Sequence, residues 1–560
     1  MKTNRRRVAC IALIFLSALI VGNGTARAAL TTNFWQGLSG KWETSTNWSE
    51  GAPSITQAVV FVSDVALDQP NIITTIDATT AGSFSGTMTI SNLVIGDATL
   101  LTSHELVVSN TGTVTPLHIL NSAMVTNHGS VFLTNSTMRI DGPPTNTLSK
   151  GALAIEGSVT VAANSTLIAQ TTTNSLEFGE AVGVNGSGTL IIAGGTNLVG
   201  FSSLVLGENI NGFGTVLITD GALLVTNTVD GFASGIDIGN NGAGSLTQSN
   251  GFVKALAESM GRGTLTVAAG THLTGSLDVD GGFESTGTVW VTGGELLVTN
   301  GASPAGTVLG TDTSGSSGIL TVSNGVFATS LLMLGFNAGD AGTLIVAGGT
   351  AMMSSNVLLG NAVCTASGYV LVEGGNLFVT NAAHNATLEI RDGTFTLNSG
   401  TVTVDRFVVT NACAHFVRTG GTLAYGSAVL NPTDDTDGDG IPNSSDLQPL
   451  NPANASMDSD GDGFTDLQEY LAHTDPANSA SALRILSIAT VGNTVTVTWQ
   501  GGRGVTNALD RALGASGGGY SNNFSQVSSV FQGGSGLTTN VFGQIGVTNS
   551  SLYFRARLVQ

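Results

Sequence analysis

Residues 342–350 read GTLIVAGGT, and the same phrase returns with small changes along much of the chain. Close copies are GTLIIAGGT at 188–196, GTLTVAAGT at 263–271 and GTVWVTGGE at 287–295, with a looser GYVLVEGGN at 368–376. Apolar and polar residues alternate in each copy, as in a strand with one buried face. The glycines that follow tolerate positive φ angles, which lets the chain turn sharply. The phrase therefore predicts a short strand that ends in a tight corner.

Two further phrases recur between copies of the first. One is LLVTN, at 223–227 and 296–300, and the other ends in Leu-Gly, as LVLG at 204–207 and LMLG at 332–335. The glycines that open the first phrase and its relatives are spaced 19 to 31 residues apart; they are Gly188, Gly214, Gly244, Gly263, Gly287, Gly318, Gly342 and Gly368. Three strands and three corners in about 25 residues make one coil of a solenoid. We predict an all-β chain with a right-handed parallel β-helix over residues 87–430.

The composition agrees with an all-β fold. The chain has 560 residues, of which 76 are Gly, and only 10% are charged while 41% are hydrophobic. That mixture is too apolar and too periodic for disorder. No run after the N-terminal segment combines Ala, Leu, Glu and Lys as a long helix would.

The N-terminus has the pattern of an export signal. Lys2 and residues 5–7 are basic, residues 8–21 are apolar, and residues 26–28 read Ala-Arg-Ala. We predict a signal peptide over residues 1–28, with an uncleaved anchor as the alternative. Its removal would change the net charge from −20 to −25, because it carries five basic residues and no acid. That balance argues against nucleic acid as a partner, and no later stretch is apolar enough to span a membrane.

Three of the five tryptophans, Trp35, Trp42 and Trp48, lie in residues 33–61 between glycines, asparagines and a proline. This arrangement resembles the opening of bacterial surface proteins that carry autotransporter-associated β-strand repeats, and the repeats that follow are similar to theirs. The resemblance implies a passenger-like solenoid in a surface protein, and we expect no membrane barrel of the kind that ends an autotransporter. We expect residues 29–86 to cap the repeat stack. The alternative is an exposed aromatic platform for sugar.

An acidic segment, residues 431–480, follows the repeats and contains two copies of D-x-D-x-D-G with a terminal acid. Alternating carboxylates on a tight loop, with a backbone carbonyl at position 7, supply the hard oxygens that calcium prefers. The predicted ligands occupy positions 1, 3, 5, 7, 9 and 12 of each loop: Asp435, Asp437, Asp439, Ile441, Asn443 and Asp446, then Asp458, Asp460, Asp462, Phe464, Asp466 and Glu469.

The surroundings of the two loops distinguish between calcium-binding families. Pro442 and Pro449 disfavour a helix after the first loop, whereas residues 465–472 can form a short helix after the second. The segment resembles thrombospondin type 3 repeats, which implies that the matched acids bind calcium. A dockerin is the runner-up, but it needs a helix after each loop. A solvated acidic linker without a fixed ion is the remaining alternative.

Residues 481–560 alternate in the manner of strands, with Tyr553, Arg555 and Arg557 on one face of the last strand. This tail resembles a small fibronectin-type-III-like β-sandwich. After signal removal only Cys364 and Cys413 remain. They pair in an oxidising compartment or stay as two buried thiols.

No catalytic motif stands out. The candidates for a β-helix lyase or hydrolase are either Asp278 and Asp280, which share one face of a strand, or Asp392 and Asp405 with Arg391 and Arg406. Placement on a solvent face or in salt bridges is the favoured interpretation of these residues. The sequence predicts a secreted or cell-surface structural or adhesive protein whose partner is an extracellular polysaccharide or another cell-surface component. A carbohydrate-active β-helix enzyme with accessory modules is the alternative.

Overall fold

A computed structural model describes residues 30–61, 71–96, 103–142, 152–170, 179–200, 202–226, 235–279, 286–299, 306–310, 315–514, 519, 522–545 and 551–559. The predicted signal peptide lies outside these residues. The chain divides into two compact units. The first runs to residue 429 without residues 416–418, and the second contains residues 416–418 and 430–560.

The parallel sheet contains 35 strands among the described residues. Its first strands are β1 (Thr31–Phe34), β2 (Gly40–Lys41), β3 (Gln57–Phe61), β4 (Asn71–Ile76), β5 (Thr89–Ile95), β6 (Ser103–Val125), β7 (Gly129–Ile140), β8 (Leu153–Ile155), β9 (Ser158–Ala162), β10 (Thr166–Gln170), β11 (Glu180–Val182) and β12 (Ser187–Gly200). The middle strands are β13 (Leu204–Leu206), β14 (Phe213–Thr226), β15 (Gly235–Ile238), β16 (Ala243–Gln248), β17 (Phe252–Lys254), β18 (Ala257–Met260), β19 (Gly263–Val267), β20 (Thr271–Thr274), β21 (Ser276–Val279), β22 (Thr286–Val291), β23 (Glu295–Val298) and β24 (Gly306–Leu309). The last are β25 (Ser317–Val322), β26 (Val326–Thr329), β27 (Leu332–Leu334), β28 (Ala341–Val346), β29 (Thr350–Met353), β30 (Asn356–Leu359), β31 (Ser367–Val379), β32 (Thr387–Ile390), β33 (Gly393–Val409), β34 (Ala414–Arg418) and β35 (Thr422–Leu430).

One coil shows how the three phrases build the solenoid. The GTLIIAGGT phrase forms the first half of β12, the chain bends at the Ala193–Thr196 register shift, and the second half forms another strand segment. The Leu-Gly phrase forms β13. Each of these segments pairs in parallel with its counterpart one coil later, in β14 and β15. The three phrases are therefore three columns of strands, and the predicted parallel β-helix is confirmed.

The anchor glycines lie in register from coil to coil. Gly188 pairs with Gly214, Gly214 with Gly244, and Gly244 with Gly263. The residues that follow the next two anchors, Thr264 and Thr288, pair with each other. Gly287 then pairs with Gly318. Gly342 and Gly368 continue the row. The uneven sequence spacing is therefore absorbed between strands, without changing the register of the first column.

Close backbone contact explains why glycine is required at these anchors. A Cβ atom on Gly342 would lie 2.3 Å from the carbonyl oxygen of Leu309 in the preceding coil, and one on Gly188 would lie 2.0 Å from that of Ile155. Gly335, which ends a Leu-Gly phrase, has a φ of 63°, in the left-handed region that favours glycine. Glycine therefore marks both sides of this corner.

Leu, Val and Ile from all three columns fill the solenoid interior, and most are fully buried. Among the described residues, the buried polar contacts of this core include two that involve a fully buried glutamate. The amide Nδ2 of Asn197 donates to Oε2 of Glu180 at 2.9 Å. His272 Nε2 lies 2.6 Å from Glu258 Oε1, and its Nδ1 lies 3.0 Å from Gln248 Oε1. All five side chains are buried.

The three N-terminal tryptophans are buried and pack on one another. Trp48 stacks edge-on against both Trp35 and Trp42, with ring centroids 4.8 and 5.2 Å apart, and all three contact Phe61. Trp48 Nε1 donates to the carbonyl oxygen of Trp42 at 2.7 Å. Buried rings offer no stacking face to a sugar, so the aromatic-platform alternative is wrong. Parallel pairing already begins here, because β1 pairs with β3 and β2 with β4. Helix α1 (Ala78–Ser83), with Asp77 as its N-cap, follows β4.

Cys364 and Cys413 form a disulfide, with their Cα atoms 5.9 Å apart and a sequence separation of 49. Cys364 precedes β31 and Cys413 precedes β34. The first half of β31 pairs with the first half of β33, one coil later. The residue after β34, Thr419, donates its N–H to the carbonyl oxygen of Leu397 in β33, which is a second step of one coil. The bridge therefore connects turns that are about two coils apart. This settles the alternative that the sequence left open, in favour of pairing.

The second unit contains the acidic segment, with helix α2 (Asp466–Ala472), and six antiparallel strands. The strands are β36 (Arg484–Val491), β37 (Thr494–Gly502), β38 (Thr506–Leu513), β39 (Ser525–Phe531), β40 (Leu537–Ile545) and β41 (Leu552–Val559). They form two three-stranded sheets, β36–β37–β40 and β39–β38–β41. Trp499 and Leu509, one from each sheet, lie in a shared buried core. The tail is therefore a small antiparallel sandwich.

The last strand has the two faces that the sequence predicted. Phe554 and Ala556 pack against the sandwich core. On the other face, Arg555 and Arg557 each place a guanidinium nitrogen near Oδ2 of the buried Asp510, at 3.1 and 2.8 Å. Among the described residues, no helix is long and apolar enough to cross a membrane.

Candidate metal centre

The first acidic loop is wrapped around its opening aspartate. Asp435 accepts backbone N–H groups of Gly438, Asp439 and Gly440, at 2.9, 3.2 and 2.8 Å. Asp439 in turn accepts the N–H of Ile441 at 2.8 Å. Gly440, at position 6, has a φ of 96°, which side-chain-bearing residues rarely adopt. The loop is therefore closed by its own backbone donors, with the carboxylates turned toward one point.

The second loop repeats these contacts residue for residue. Asp458 accepts N–H groups of Gly461, Asp462 and Gly463, at 2.8, 3.1 and 2.8 Å. Asp462 accepts that of Phe464 at 3.0 Å. Two loops that are 23 residues apart in sequence thus share one hydrogen-bonding scheme.

Positions 1, 3 and 5 of each loop come together. In both loops a carboxylate oxygen from each of the three aspartates lies within 4.8 Å of the other two. Two oxygens on one calcium ion, each about 2.3–2.6 Å from it, lie at most about 5 Å apart. The spacing of the aspartates therefore fits a single ion in each loop.

Unpartnered buried oxygens mark where an ion would bind. Six carboxylate oxygens in the segment are buried and accept no hydrogen bond from the described residues, three in each loop; they are Oδ2 of Asp437, Asp439 and Asp446, and Oδ2 of Asp460 and Asp462 with Oε2 of Glu469. They belong to positions 3, 5 and 12 in both loops. A buried acceptor without a partner is costly, more so when it carries charge. The donor set, all hard oxygen, fits calcium.

The predicted ligands at position 9 have other contacts. Asn443 accepts the N–H of Thr436 through Oδ1 and donates to Thr436 Oγ1 and the Asn431 carbonyl. Both carboxylate oxygens of Asp466 accept hydrogen bonds from Ser459, at 3.1 and 2.7 Å. Each position-9 side chain therefore braces position 2 of its own loop. A direct role of either residue as a ligand stays a prediction.

Position 7 is occupied by Ile441 and Phe464. The Ile441 side chain is buried, and Gly440 beside it faces Leu467 of α2. The first loop thus packs against the helix that follows the second. The proposed role of the two position-7 carbonyl oxygens as ligands stays a prediction.

Burial and mutual repulsion perturb the acids in the absence of a cation. Burial, reinforced by the charges of Asp439 and Asp446, raises the pKa of Asp437 to about 7. Burial and the charges of Asp460 and Asp462 raise the pKa of Glu469 to about 7 as well. The pKa values of Asp439 and Asp446 are also raised, mainly by burial. A divalent cation would relieve these repulsions.

Only the second loop is followed by an α-helix. Thr465 caps α2 by accepting the N–H of Gln468, and the helix ends at His473, whose φ is 54°. After the first loop, turns run to a short 3₁₀ helix (Asn454–Ser456). The predicted helix is confirmed, and the dockerin alternative lacks its first helix.

The end of α2 contacts the sandwich. His473 Nδ1 lies 2.9 Å from the carbonyl oxygen of Arg503, in the turn between β37 and β38. A Cβ atom on Gly502 would lie only 2.2 Å from the carbonyl oxygen of Ala472. Gln500 donates to the carbonyl oxygen of Ala480 at 2.7 Å. The second loop is therefore joined to the sandwich by direct contacts.

The catalytic candidates have mainly loop-bracing contacts. Asp392 accepts the N–H of Ala366, and Asp405 accepts those of Asn381 and Ala386. Arg391 pairs with Glu389 at 2.8 Å. Asp278 lies on β21, while Asp280 is outside the described residues. The structure does not assemble these acids and arginines into one described cluster.

Comparison with known proteins identifies one segment. A family model described as the bacterial TSP3 repeat, a calcium-binding type of repeat, matches residues 458–479. The match spans the second loop, α2 and the Thr-Asp-Pro that follows. No curated protein and no solved structure matched the chain. The chain thus contains a calcium-binding repeat of extracellular type that follows a parallel β-solenoid in sequence.

Asn454 and Thr474, which the loop motif does not include, also contact acids of the two loops. Asn454 donates to Asp446 Oδ1 at 2.6 Å, and Thr474 Oγ1 donates to Glu469 Oε1 at 3.2 Å. Each therefore holds the position-12 acid of one loop. Thr474 lies within the repeat's Thr-Asp-Pro, but nothing in the spacing marks Asn454.

Proposed function

We propose that the two acidic loops bind one calcium ion each, and that calcium stabilises the joined loop segment and sandwich of an exported bacterial surface protein. The observation that carries this proposal is the matching set of buried, unpartnered oxygens at positions 3, 5 and 12 of both loops. Asp435 and Asp458 complete each set. The position-7 carbonyls of Ile441 and Phe464 are further ligands on this proposal.

The proposed location is outside the cytoplasm. A TSP3 repeat is of extracellular type, and the Cys364–Cys413 disulfide is suited to an oxidising compartment. The basic and apolar pattern of residues 1–28 supports export through a signal peptide.

The proposed role is structural or adhesive. The solenoid coils resemble the passenger-type, autotransporter-associated repeats, and the buried tryptophans support a capping role for residues 29–86. Stacked coils expose long ladders of side chains and suit a spacer or a binding surface. The partner on this proposal is an extracellular polysaccharide or another cell-surface component.

Calorimetric titration tests the calcium assignment. The calcium-depleted full-length chain should bind two ions, while Asp437→Asn and Asp460→Asn should each lose one. Asp434→Asn is the matched control, because Asp434 accepts a hydrogen bond from Asn431 and occupies no predicted ligand position. Retention of two bound ions in the double variant would overturn the assignment.

A further inference from the structure

The turn that leads into the second loop holds the acids of the first. Asn454 is fully buried, and its Nδ2 donates to Oδ1 of Asp446, the position-12 acid. The position-12 acid of the first loop is therefore oriented by a residue that lies outside that loop. The first loop is not self-contained.

The same turn opens the second loop. The carbonyl oxygen of Asn454 accepts the N–H of Met457, and that of Met457 accepts the N–H of Asp466. Asp458, position 1 of the second loop, follows Met457 directly. A displacement of Asn454 would therefore reach both loops.

Asn454 also offers an oxygen of its own. Its Oδ1 is buried and has no partner among the described residues. Because Nδ2 must face the carboxylate of Asp446, the amide orientation is determined by chemistry. The first loop ends in aspartate where the second ends in the longer glutamate. One Asp446 oxygen is engaged by Asn454 and by the N–H of Gln448, which leaves Oδ2 for an ion. An amide oxygen beside a shorter acid suits the ligand-rich shell of calcium.

We infer that Asn454 is a positioning residue that couples the two calcium loops, so that an ion in one loop raises the affinity of the other. This inference rests on the proposed calcium binding. An ion in the first loop holds Asp446 in place, and Asp446 in turn holds Asn454 through their hydrogen bond. The turn at Asn454 is then ordered, and it positions Asp458 and the Met457 carbonyl oxygen that accepts the N–H of Asp466. In the second loop Thr474, which follows α2, holds Glu469 instead.

The chain contains a matched control for Asn454. Residues 451–454 read NPAN and residues 475–478 read DPAN. Asn478 is exposed, and its Oδ1 accepts the N–H of Ala480 within its own turn. Asn478→Ala therefore removes the same group from an equivalent turn that touches neither loop's acids.

The test is a double-mutant cycle of calcium affinities on the full-length chain. In the wild-type background, Glu469→Gln, which weakens the second loop, should also weaken the first by about fivefold or more, the range typical of coupled sites. In the Asn454→Ala background the first loop should already be weaker, and Glu469→Gln should change it no further. Asn478→Ala should retain the wild-type coupling. Asn454→Asp keeps the shape but places a carboxylate against Asp446, so it should behave as Asn454→Ala.

The outcomes separate this inference from the proposed function. Two ions bound independently, with the same coupling in Asn454→Ala and Asn478→Ala, would overturn the inference and leave calcium binding intact. No calcium bound by the wild-type chain would overturn the proposed function itself. An unchanged melting temperature of the calcium-free Asn454→Ala chain would show that the lost coupling does not arise from unfolding.

Discussion

Six buried carboxylate oxygens without hydrogen-bond partners dominate the chemistry of the acidic segment at the residue scale. Leaving a buried polar group unpaired costs about 1–3 kcal/mol, and more when it is charged. Without a cation, protons are the available means of reducing this cost. The pKa values of Asp437 and Glu469 are accordingly raised to about 7, because the protonated form of each carboxyl avoids the cost of a buried charge.

A pH dependence follows from those two groups. Their carboxyls titrate near 4 in an unfolded chain and near 7 in the fold. The calcium-free fold therefore binds their protons more tightly than the unfolded chain, and its stability falls as pH rises from about 4 to 7. We expect the melting temperature of the calcium-free second unit to be lower at pH 8 than at pH 5. With calcium, its stabilisation should grow over the same range, because the ion competes with protons.

Calorimetric scans between pH 5 and 8, with and without a chelator, measure this effect. The variant with Asp437→Asn and Glu469→Gln should show a much flatter calcium-free profile. A wild-type profile that rises with pH in the absence of calcium would contradict the explanation.

The convergence of the aspartates at positions 1, 3 and 5 could be predicted from sequence, because the spacing of acids and glycines within one short loop determines it. Asp, Gly and Asp at fixed spacing determine which side chains converge. The hydrogen bonds of Asn443 and Asp466 to position 2 could not be predicted, because the spacing of the motif predicts a ligand at position 9 and contains no signal for its hydrogen-bond partners. Asn454 could not be predicted either, because its role depends on a turn folding back onto the preceding loop.

Strand columns in register define the solenoid at the element scale. The repeat phrases predicted the columns and their buried faces, since alternation and anchor glycines are local signals. The disulfide could not be predicted, because the pairing of Cys364 with Cys413 depends on how residues are distributed between strands and corners. Uneven spacings of 19 to 31 residues hide that distribution.

The polar pairs in the core occupy equivalent places in the stack. Along one column Glu180 is followed by Leu204, Ile236 and then Glu258 in successive coils. Along another column Asn197 is followed by Leu223, Val253 and then His272. An acid and its partner thus replace two apolar residues together, three coils apart. Each acid therefore has its partner in the same coil, and the coils between the two pairs have apolar residues at both positions.

Substitution of the Glu258–His272 pair tests this arrangement. His272→Leu alone leaves the buried carboxylate unpaired and should cost about 3–5 kcal/mol of unfolding free energy. Adding Glu258→Leu should recover at least half of that cost, since Ile236 and Leu277 flank the site in its column. Full recovery is not expected, because Gln248 also loses its contact with His272.

Denaturant unfolding of the solenoid gives the three free energies. A double variant whose loss equals the sum of the two single losses would contradict the pairing argument. Thr266→Ala, between the two partners in sequence but on the outward face of β19, is a suitable control.

At the scale of the whole molecule, the chain contains two compact units whose stability has different sources. The solenoid gains stability from stacked apolar coils and one disulfide. The second unit is a small sandwich joined to two acidic loops that contain no Lys or Arg. No Lys or Arg lies between Arg418 and Arg484, so the eleven acids of residues 434–476 have no local basic neighbour in sequence. Calcium dependence is therefore expected in the second unit and not in the first.

Amide hydrogen exchange of the full-length chain, followed by mass spectrometry with calcium and with a chelator, tests this claim most directly. Calcium should slow exchange across residues 434–480 and at the Arg503 turn that contacts the end of α2, while β12 to β33 should exchange at the same rate in both conditions. Exchange in residues 434–480 that is indifferent to calcium, or an equal slowing throughout the solenoid, would contradict the claim.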